Sequence, residues 1–233
     1  MGIKKNRLKI YNGIMTSRPK WFAIEGNIGS GKSTLCKLLE RDLVDSQVFY
    51  EPVDMWKEMT EDSSGKNLLE FYYENQKRWG FTFQLYGLFT MMENNKKETE
   101  KKIKFVERSL DSFKNVFARS LYERGMMTDL EWKMYNQWYE CLVKETFEDI
   151  NMPDGYIYIR ADPETSYQRM LKRERSEEKC VPKEYLETIN RYHDEWLKTI
   201  EPEKVLIIDV DKDFEHTPEE WERILGIIQD FIQ

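Results

Sequence analysis

Short runs of consecutive apolar residues alternate along this chain with longer stretches whose apolar positions recur at helical spacing. Trp21-Phe22-Ala23-Ile24-Glu25 reads as a buried strand, followed by a glycine loop and a helix from about Lys32 to Leu43. Gln47-Val48-Phe49-Tyr50 is a second short strand, stopped by Pro52, which cannot donate to a sheet ladder. From Lys66 to Glu100 the pattern is helical, with a break expected near Gly80. Ile103-Lys104-Phe105-Val106-Glu107 is a third strand, and 110–124 and 129–149 read as helices. Gly155-Tyr156-Ile157-Tyr158-Ile159 is a fourth strand. Pro163 starts a helix, and Pro182 opens another that runs to about Ile200. Val205-Leu206-Ile207-Ile208 is the last strand, and Thr217-Pro218-Glu219-Glu220 is expected to cap the final helix. Strands separated by helices require a mainly parallel sheet covered on both faces. The expected fold is therefore a three-layer α/β domain over 21–233 with a five-stranded parallel sheet flanked by helices.

Composition narrows the function classes. No apolar run approaches the roughly 18 residues that span a bilayer, so no membrane role is expected. The net charge of −7 argues against a dedicated nucleic-acid binder, although a local basic pocket can still hold a small anion. Residues 1–20 carry six basic side chains and no acid, which leaves 21–233 at −13. Asn6, Asn12 and Gly13 interrupt any long amphipathic helix there, Asn6 stands where a myristoylation signal needs Ser or Thr, and no signal-peptide core is present. Residues 1–20, acid-poor like a transit peptide, are read as a disordered basic extension rather than a targeting signal, and the protein as cytosolic, with a mitochondrial location the alternative. Cys36, Cys141 and Cys180 have no metal spacing and read as free thiols in a reducing compartment. His193 and His216 are the two histidines, too few for zinc or His-centred chemistry.

The strongest local signal is Gly26-Asn27-Ile28-Gly29-Ser30-Gly31-Lys32-Ser33-Thr34, which fits G-x-x-x-x-G-K-[ST] between a strand and a helix. The glycines let backbone N–H groups turn inward around phosphate oxygens, the helix N-terminus adds positive potential, and Lys32 adds a full charge. Ser33 is the expected magnesium ligand. Glu51, at the carboxyl end of the second strand, could take a proton from a hydroxyl attacking a γ-phosphate, but by itself it reads first as a loop-exposed acid. Glu107-Arg108-Ser109 ends the third strand, where the acid can hold magnesium through water and the arginine can neutralise transferring oxygens, a structural ion pair being the equal alternative. Arg169 and Arg173 lie four apart on one helix face, with Arg175 following. Glu174, Glu177 and Glu178 beside them make a solvated, salt-bridged helix the competing reading.

These motifs together resemble the deoxynucleoside kinase family, from about Trp21 to the C-terminus. The resemblance rests on the P-loop, Glu51-Pro52-Val53 with Trp56, Arg78-Trp79-Gly80-Phe81-Thr82-Phe83-Gln84, Glu107-Arg108-Ser109, and Arg173-Glu174-Arg175-Ser176-Glu177-Glu178 before Val181-Pro182. It implies a P-loop kinase fold with an arginine-rich lid, ATP with Mg2+, a deoxynucleoside substrate, and homodimers packed through the long helices. By resemblance Glu51 is the general base on the nucleoside 5′-hydroxyl, Arg108 steadies the reacting oxygens, and Arg169, Arg173 and Arg175 close over the donor phosphates. Tyr73 and Glu178 bind the sugar 3′-hydroxyl, and Tyr73 crowds the 2′ position. Phe117 stacks on the base between walls made by Trp56 and Phe83. The turn Asp211-Lys212-Asp213-Phe214 holds the donor base.

Gln84 is the residue expected to read the acceptor base, yet its amide suits thymine, cytosine or an adenine edge equally. Met91 lies two helical turns further along the same face. Family members preferring deoxycytidine or deoxyguanosine carry an arginine there, paired with an aspartate where this chain has Phe113. Thymidine-accepting members carry a methionine and an alanine, so Phe113 departs from both patterns. The expected activity is transfer of the γ-phosphoryl of ATP to a deoxynucleoside 5′-hydroxyl, with pyrimidines, thymidine and/or deoxycytidine, favoured. A purine-preferring kinase, a nucleoside monophosphate (thymidylate) kinase and a non-catalytic nucleotide-binding relative are the alternatives.

Overall fold

A computed structural model of the chain describes residues 8–11, 14–61, 63–146 and 152–233. Strands β1 (Leu8–Tyr11) and β2 (Ile14–Ser17) pair antiparallel, with Tyr11 opposite Ile14. Over Leu8–Tyr11 and Ile14–Ser17 the chain is therefore paired where a disordered extension over 1–20 was expected, and residues 1–7 lie outside the described residues. Only Asn12-Gly13 separates the paired ends, and that dipeptide favours two-residue hairpin connections. The boundary moves as well. Arg18 donates to both Asp154 oxygens at 2.7 and 2.9 Å, and Lys20 opens the central strand. Lys4, Lys5 and Arg7 lie outside the described residues.

The main sheet contains β3 (Lys20–Glu25), β4 (Ser46–Phe49), β5 (Ile103–Glu107), β6 (Gly155–Arg160) and β7 (Val205–Asp209). Its spatial order is β4-β5-β3-β6-β7 and every pairing is parallel, as expected. Period-two alternation along β3 divides the core. Phe22 and Ile24 join Leu35 and Leu39 of α1 (Lys32–Asp42) on one side, while Trp21 and Ala23 face the other layer. A wholly buried side chain such as Ile24 contributes about 1.5–3 kcal/mol. A third apolar cluster is helical and lies beyond the sheet. It joins α2 (Val53–Glu58), α3 (Leu68–Glu74), α4 (Gln76–Asn95), α5 (110–123) and α6 (Asp129–Tyr139).

The helix break expected at Gly80 falls instead at Asn75, whose side chain accepts from Arg78 N at 3.1 Å and so caps α4. Gly80 is mid-helix because α5 packs close: a Cβ there would sit 3.1 Å from Leu121 Cδ1. Helix α6 continues through wider turns over Glu140–Thr146, and the remainder of the helix expected to 149 lies outside the described residues. Helices α7 (Pro163–Lys172) and α8 (Lys183–Leu197) follow, with Pro182 as the residue before α8. In α9 (Pro218–Phe231) Pro218 occupies the first turn, but Thr217 makes no side-chain cap, so the expected capping box is not formed. Helix α9 completes the α1 layer through Ile224 and Ile228, and α5 and α8 supply Val116, Leu186 and Ile189 to the opposite one.

Candidate active site

The carboxyl ends of β3, β4 and β5 open into a cavity of about 780 Å³. One wall is the P-loop between β3 and α1. Gly29 has φ 75°, and a Cβ there would lie 2.2 Å from Ser166 O, so only glycine fits against α7. Ile28, Gly29, Gly31, Lys32, Ser33 and Thr34 line the cavity. Gly26, Asn27 and Ser30 do not. Gly26 and Asn27 contribute carbonyls that accept from Lys32 Nζ at 3.1 and 2.7 Å, and the Asn27 amide ties the loop to Leu186 O at 2.8 Å. Burial, with Arg108 nearby, pulls the Lys32 ammonium down to about 7. Ser33 Oγ donates to Glu107 Oε1 at 2.7 Å, which brings the two expected metal ligands together. A hydroxyl and a carboxylate are the hard oxygen donors that magnesium accepts alongside phosphate and water.

At the end of β5 the backbone turns sharply. Arg108 has φ 68°, a strained value for a non-glycine residue, and Ser109 then caps α5 by accepting from Ser112 N at 3.1 Å. The turn aims Arg108 back across the site. Its Nε donates to Glu51 Oε1 at 2.9 Å, and its guanidinium lies 4.4 Å from the Phe117 ring centre. The expected base and the expected oxygen-stabilising cation are therefore in contact, between P-loop and aromatic pocket.

That pocket is assembled from several helices. Trp56 and Phe83 meet edge to face at 5.1 Å, and Trp56 Nε1 donates to Thr90 Oγ1 at 2.9 Å. Within α5 the segment Phe113–Ala118 has wider turns, and Phe113 and Phe117 both line the cavity. Gln84 lines it too, is wholly buried, and neither amide atom has a hydrogen-bond partner. A buried amide without partners is costly unless something else bonds it. Met91 is corrected: it is wholly buried in the helical cluster and does not line the cavity. Phe113 forms that part of the wall, seated so closely on α4 that a Cβ at Gly87 would lie 2.4 Å from its ring.

The lid residues are present but engaged. Arg173 grips both oxygens of Glu178, with Nε at 2.9 Å from Oε2, and Arg175 lies 3.7 Å from the same carboxylate. Arg169 reaches the carbonyls of Asp211 and Lys212 at 3.1 and 3.2 Å, tying that loop to the rest of the site. Asp213 caps its own turn by accepting from Glu215 N at 3.0 Å, and Phe214 packs over Gly31. Tyr73 also lines the cavity, its phenol pushed up by burial and by the Glu178 carboxylate.

Sequence reasoning missed several participants. Tyr72 and Tyr185 share a hydroxyl contact of 3.0 Å at the cavity wall, and Lys57 lines it as well. Glu25 is wholly buried behind Arg108, accepts from Ser109 N at 2.8 Å, and is pushed up to about 7 by burial against the pull of Arg108. Its second oxygen lies 4.0 Å from His193 Nε2, and burial holds that imidazole well below its usual range. An acid closing an otherwise apolar strand was the available signal for Glu25.

Comparison with known proteins bears on this site. Residues 22–233 match the family model for deoxynucleoside kinase. The chain is 34% identical to deoxycytidine kinase 2 of Gallus gallus over 242 residues, covering 92% of this chain and 91% of that protein. It is 34% identical to deoxycytidine kinase of Homo sapiens over 243 residues, with 93% and 92% covered. To mitochondrial thymidine kinase 2 of Homo sapiens it is 36% identical over 174 residues, which cover 75% of this chain and 63% of that one.

Proposed function

The chain belongs to the deoxynucleoside kinase family, and on that premise we propose that it transfers the γ-phosphoryl group of ATP to the 5′-hydroxyl of a pyrimidine deoxynucleoside. The observation that carries this reading is the Arg108–Glu51 contact of 2.9 Å, set between a P-loop and an aromatic pocket containing the unpartnered Gln84 amide. Glu51 takes the hydroxyl proton as the 5′-oxygen bonds to the γ-phosphorus and the bond to the bridging oxygen breaks. Arg108 and Lys32 neutralise charge on the oxygens in transfer. Ser33 and Glu107 would hold Mg2+, which supplies further positive charge against the donor phosphates. Arg169, Arg173 and Arg175 serve the donor phosphates, and Asp213 with Phe214 borders the donor base. Tyr73 and Glu178 take the sugar, while Trp56, Phe83, Phe113 and Phe117 enclose the base that Gln84 reads.

Support for a pyrimidine comes from Phe113, whose ring fills the wall against Gly87, and from the names of the relatives, deoxycytidine and thymidine kinases. A homodimer is supported by Leu130, Met134 and Trp138, exposed apolar side chains four residues apart along α6, and light scattering in solution checks it. Among the described residues no helix is long and apolar enough to cross a membrane. The cytosol remains the proposed location, checked by fractionation.

The reaction is tested by offering thymidine, deoxycytidine, deoxyadenosine and deoxyguanosine separately with ATP and magnesium, beside ribonucleosides and thymidine monophosphate. Turnover led by a pyrimidine deoxynucleoside is expected. A purine lead would overturn the base assignment, and turnover of the monophosphate alone would overturn the acceptor. ATP binding without turnover on any substrate would make the protein a non-catalytic member.

A further inference from the structure

Glu177 and Glu178 are consecutive acids in the short lid turn Ser176–Glu178, and each side chain is only about 5% exposed. Two adjacent carboxylates removed from water need separate partners, since an unpaired buried charge is expensive and two like charges repel. Glu178 is met from within the lid by Arg173 and Arg175. Glu177 is met from outside it, by Lys57 of α2 at 2.9 Å. Ser176 Oγ contacts the other Glu177 oxygen at 3.3 Å. The preceding residue, Trp56, is part of the base pocket and is pinned by Thr90. One short helix thus touches the aromatic wall with one residue and the lid with the next.

We propose that Lys57 is a positioning residue that straps the lid to the acceptor pocket through Glu177, and so fixes where Glu178 stands. The inference rests on the proposed function, in which Glu178 serves the acceptor sugar. Glu177 and Glu178 share a three-residue turn, so releasing Glu177 lets that turn drift toward water and carries Glu178 with it. The consequence falls on acceptor binding and not on the P-loop, which α2 does not hold. Lys57 also lines the cavity, so direct contact with donor phosphates is the rival role, and it has a different kinetic signature.

The test compares Lys57→Met, Lys57→Glu, Glu177→Lys and the double charge swap in steady-state kinetics with the deoxynucleoside the wild type uses best. Lys57→Met raises the acceptor KM about tenfold, while kcat and the donor KM stay within about threefold. Each single reversal is worse, and the double swap returns the acceptor KM to within about threefold of wild type. Hydrogen exchange over residues 173–181 reads the strap without turnover: it quickens in Lys57→Met and slows again in the swap. An unchanged acceptor KM with unchanged exchange overturns the proposal. So does a swap no better than the worse single variant, or a rise confined to the donor KM. A wild type inactive on every deoxynucleoside would instead sink the proposed reaction, and exchange alone would then decide the strap.

Discussion

On the P-loop side of the cavity the cationic groups already have protein partners, whereas on the aromatic side the inward-facing amide has none. Lys32 sits on the Gly26 and Asn27 carbonyls, Arg169 on the Asp211 and Lys212 carbonyls, and Arg173 on Glu178. On the proposed function a donor bound here would exchange these contacts for new ones, so charge is expected to govern the response of this half. Gln84 faces the cavity with both amide atoms unpaired among close-packed rings, so the aromatic half, the proposed acceptor side, is expected to respond to shape and hydrogen bonding. Glu51 and Arg108 stand where the halves meet. Charge is the lever on one side and volume the lever on the other.

The largest expected effect is at the junction. Glu51→Gln keeps the size of the side chain but removes the proton acceptor, and is expected to lower kcat by about 10²–10⁴-fold with ATP affinity retained. Turnover near wild type would remove Glu51 from the base role. Loss of ATP binding would mean the halves are not separable there.

A smaller effect sharpens the volume side. Gly87→Ala places a methyl 2.4 Å from the Phe113 ring, so the ring must shift toward the cavity. Overpacking of this kind costs roughly 1–3 kcal/mol, and the acceptor KM is expected to rise while the donor KM does not. Adding Phe113→Ala should relieve both penalties, which makes the pair strongly non-additive. Additive effects would show that Phe113 and Gly87 do not shape the pocket together.

The contrast between the halves also explains what was legible in the sequence. A phosphate cradle is built from one contiguous loop, so Gly26 to Thr34 declare it by spacing, and the strand ends at Glu51 and Glu107 fall where a parallel sheet puts its ligands. The acceptor pocket draws Trp56, Gln84 and Phe113 from three helices, and aromatic residues at helical spacing look the same whether they face a core or a cavity. Their roles came only from family resemblance. Even so, Met91 proved to be core, because Phe113 occupies the wall. Gly80 of α4 misled for a related reason. Gly80 suggested a break, yet both Gly80 and Gly87 serve close packing against α5, a need that only the tertiary structure creates. The break at Asn75 and the pairing of Leu8–Tyr11 with Ile14–Ser17 were visible in principle, as a capping residue and as a turn-favouring dipeptide in the sequence between the two strands.

The smallest expected effect tests the charge side. Burial pulls the Lys32 ammonium down to about 7, so in the free protein its charge is expected to fade as pH rises from 6 to 8. Donor phosphates favour the charged form, so ATP binding at pH 8 should take up as much as one proton, and at pH 5.5 almost none from this group. Calorimetry in buffers of different ionisation enthalpy reads the uptake, and Lys32→Met should abolish it. Heat independent of buffer at pH 8 would show that Lys32 is already charged in the free protein.

The central claim is that the cavity joins a nucleotide γ-phosphate to a sugar 5′-hydroxyl beside Glu51. It is tested most directly by phosphorus NMR of the product made from the deoxynucleoside that turns over fastest. A phosphate on the 5′-oxygen couples about equally to the two C5′ methylene protons and gives a triplet, the predicted result. A doublet, from the single proton beside a 3′-phosphate, would mean that the acceptor lies in the opposite sense and that Glu51 is not where the proton goes.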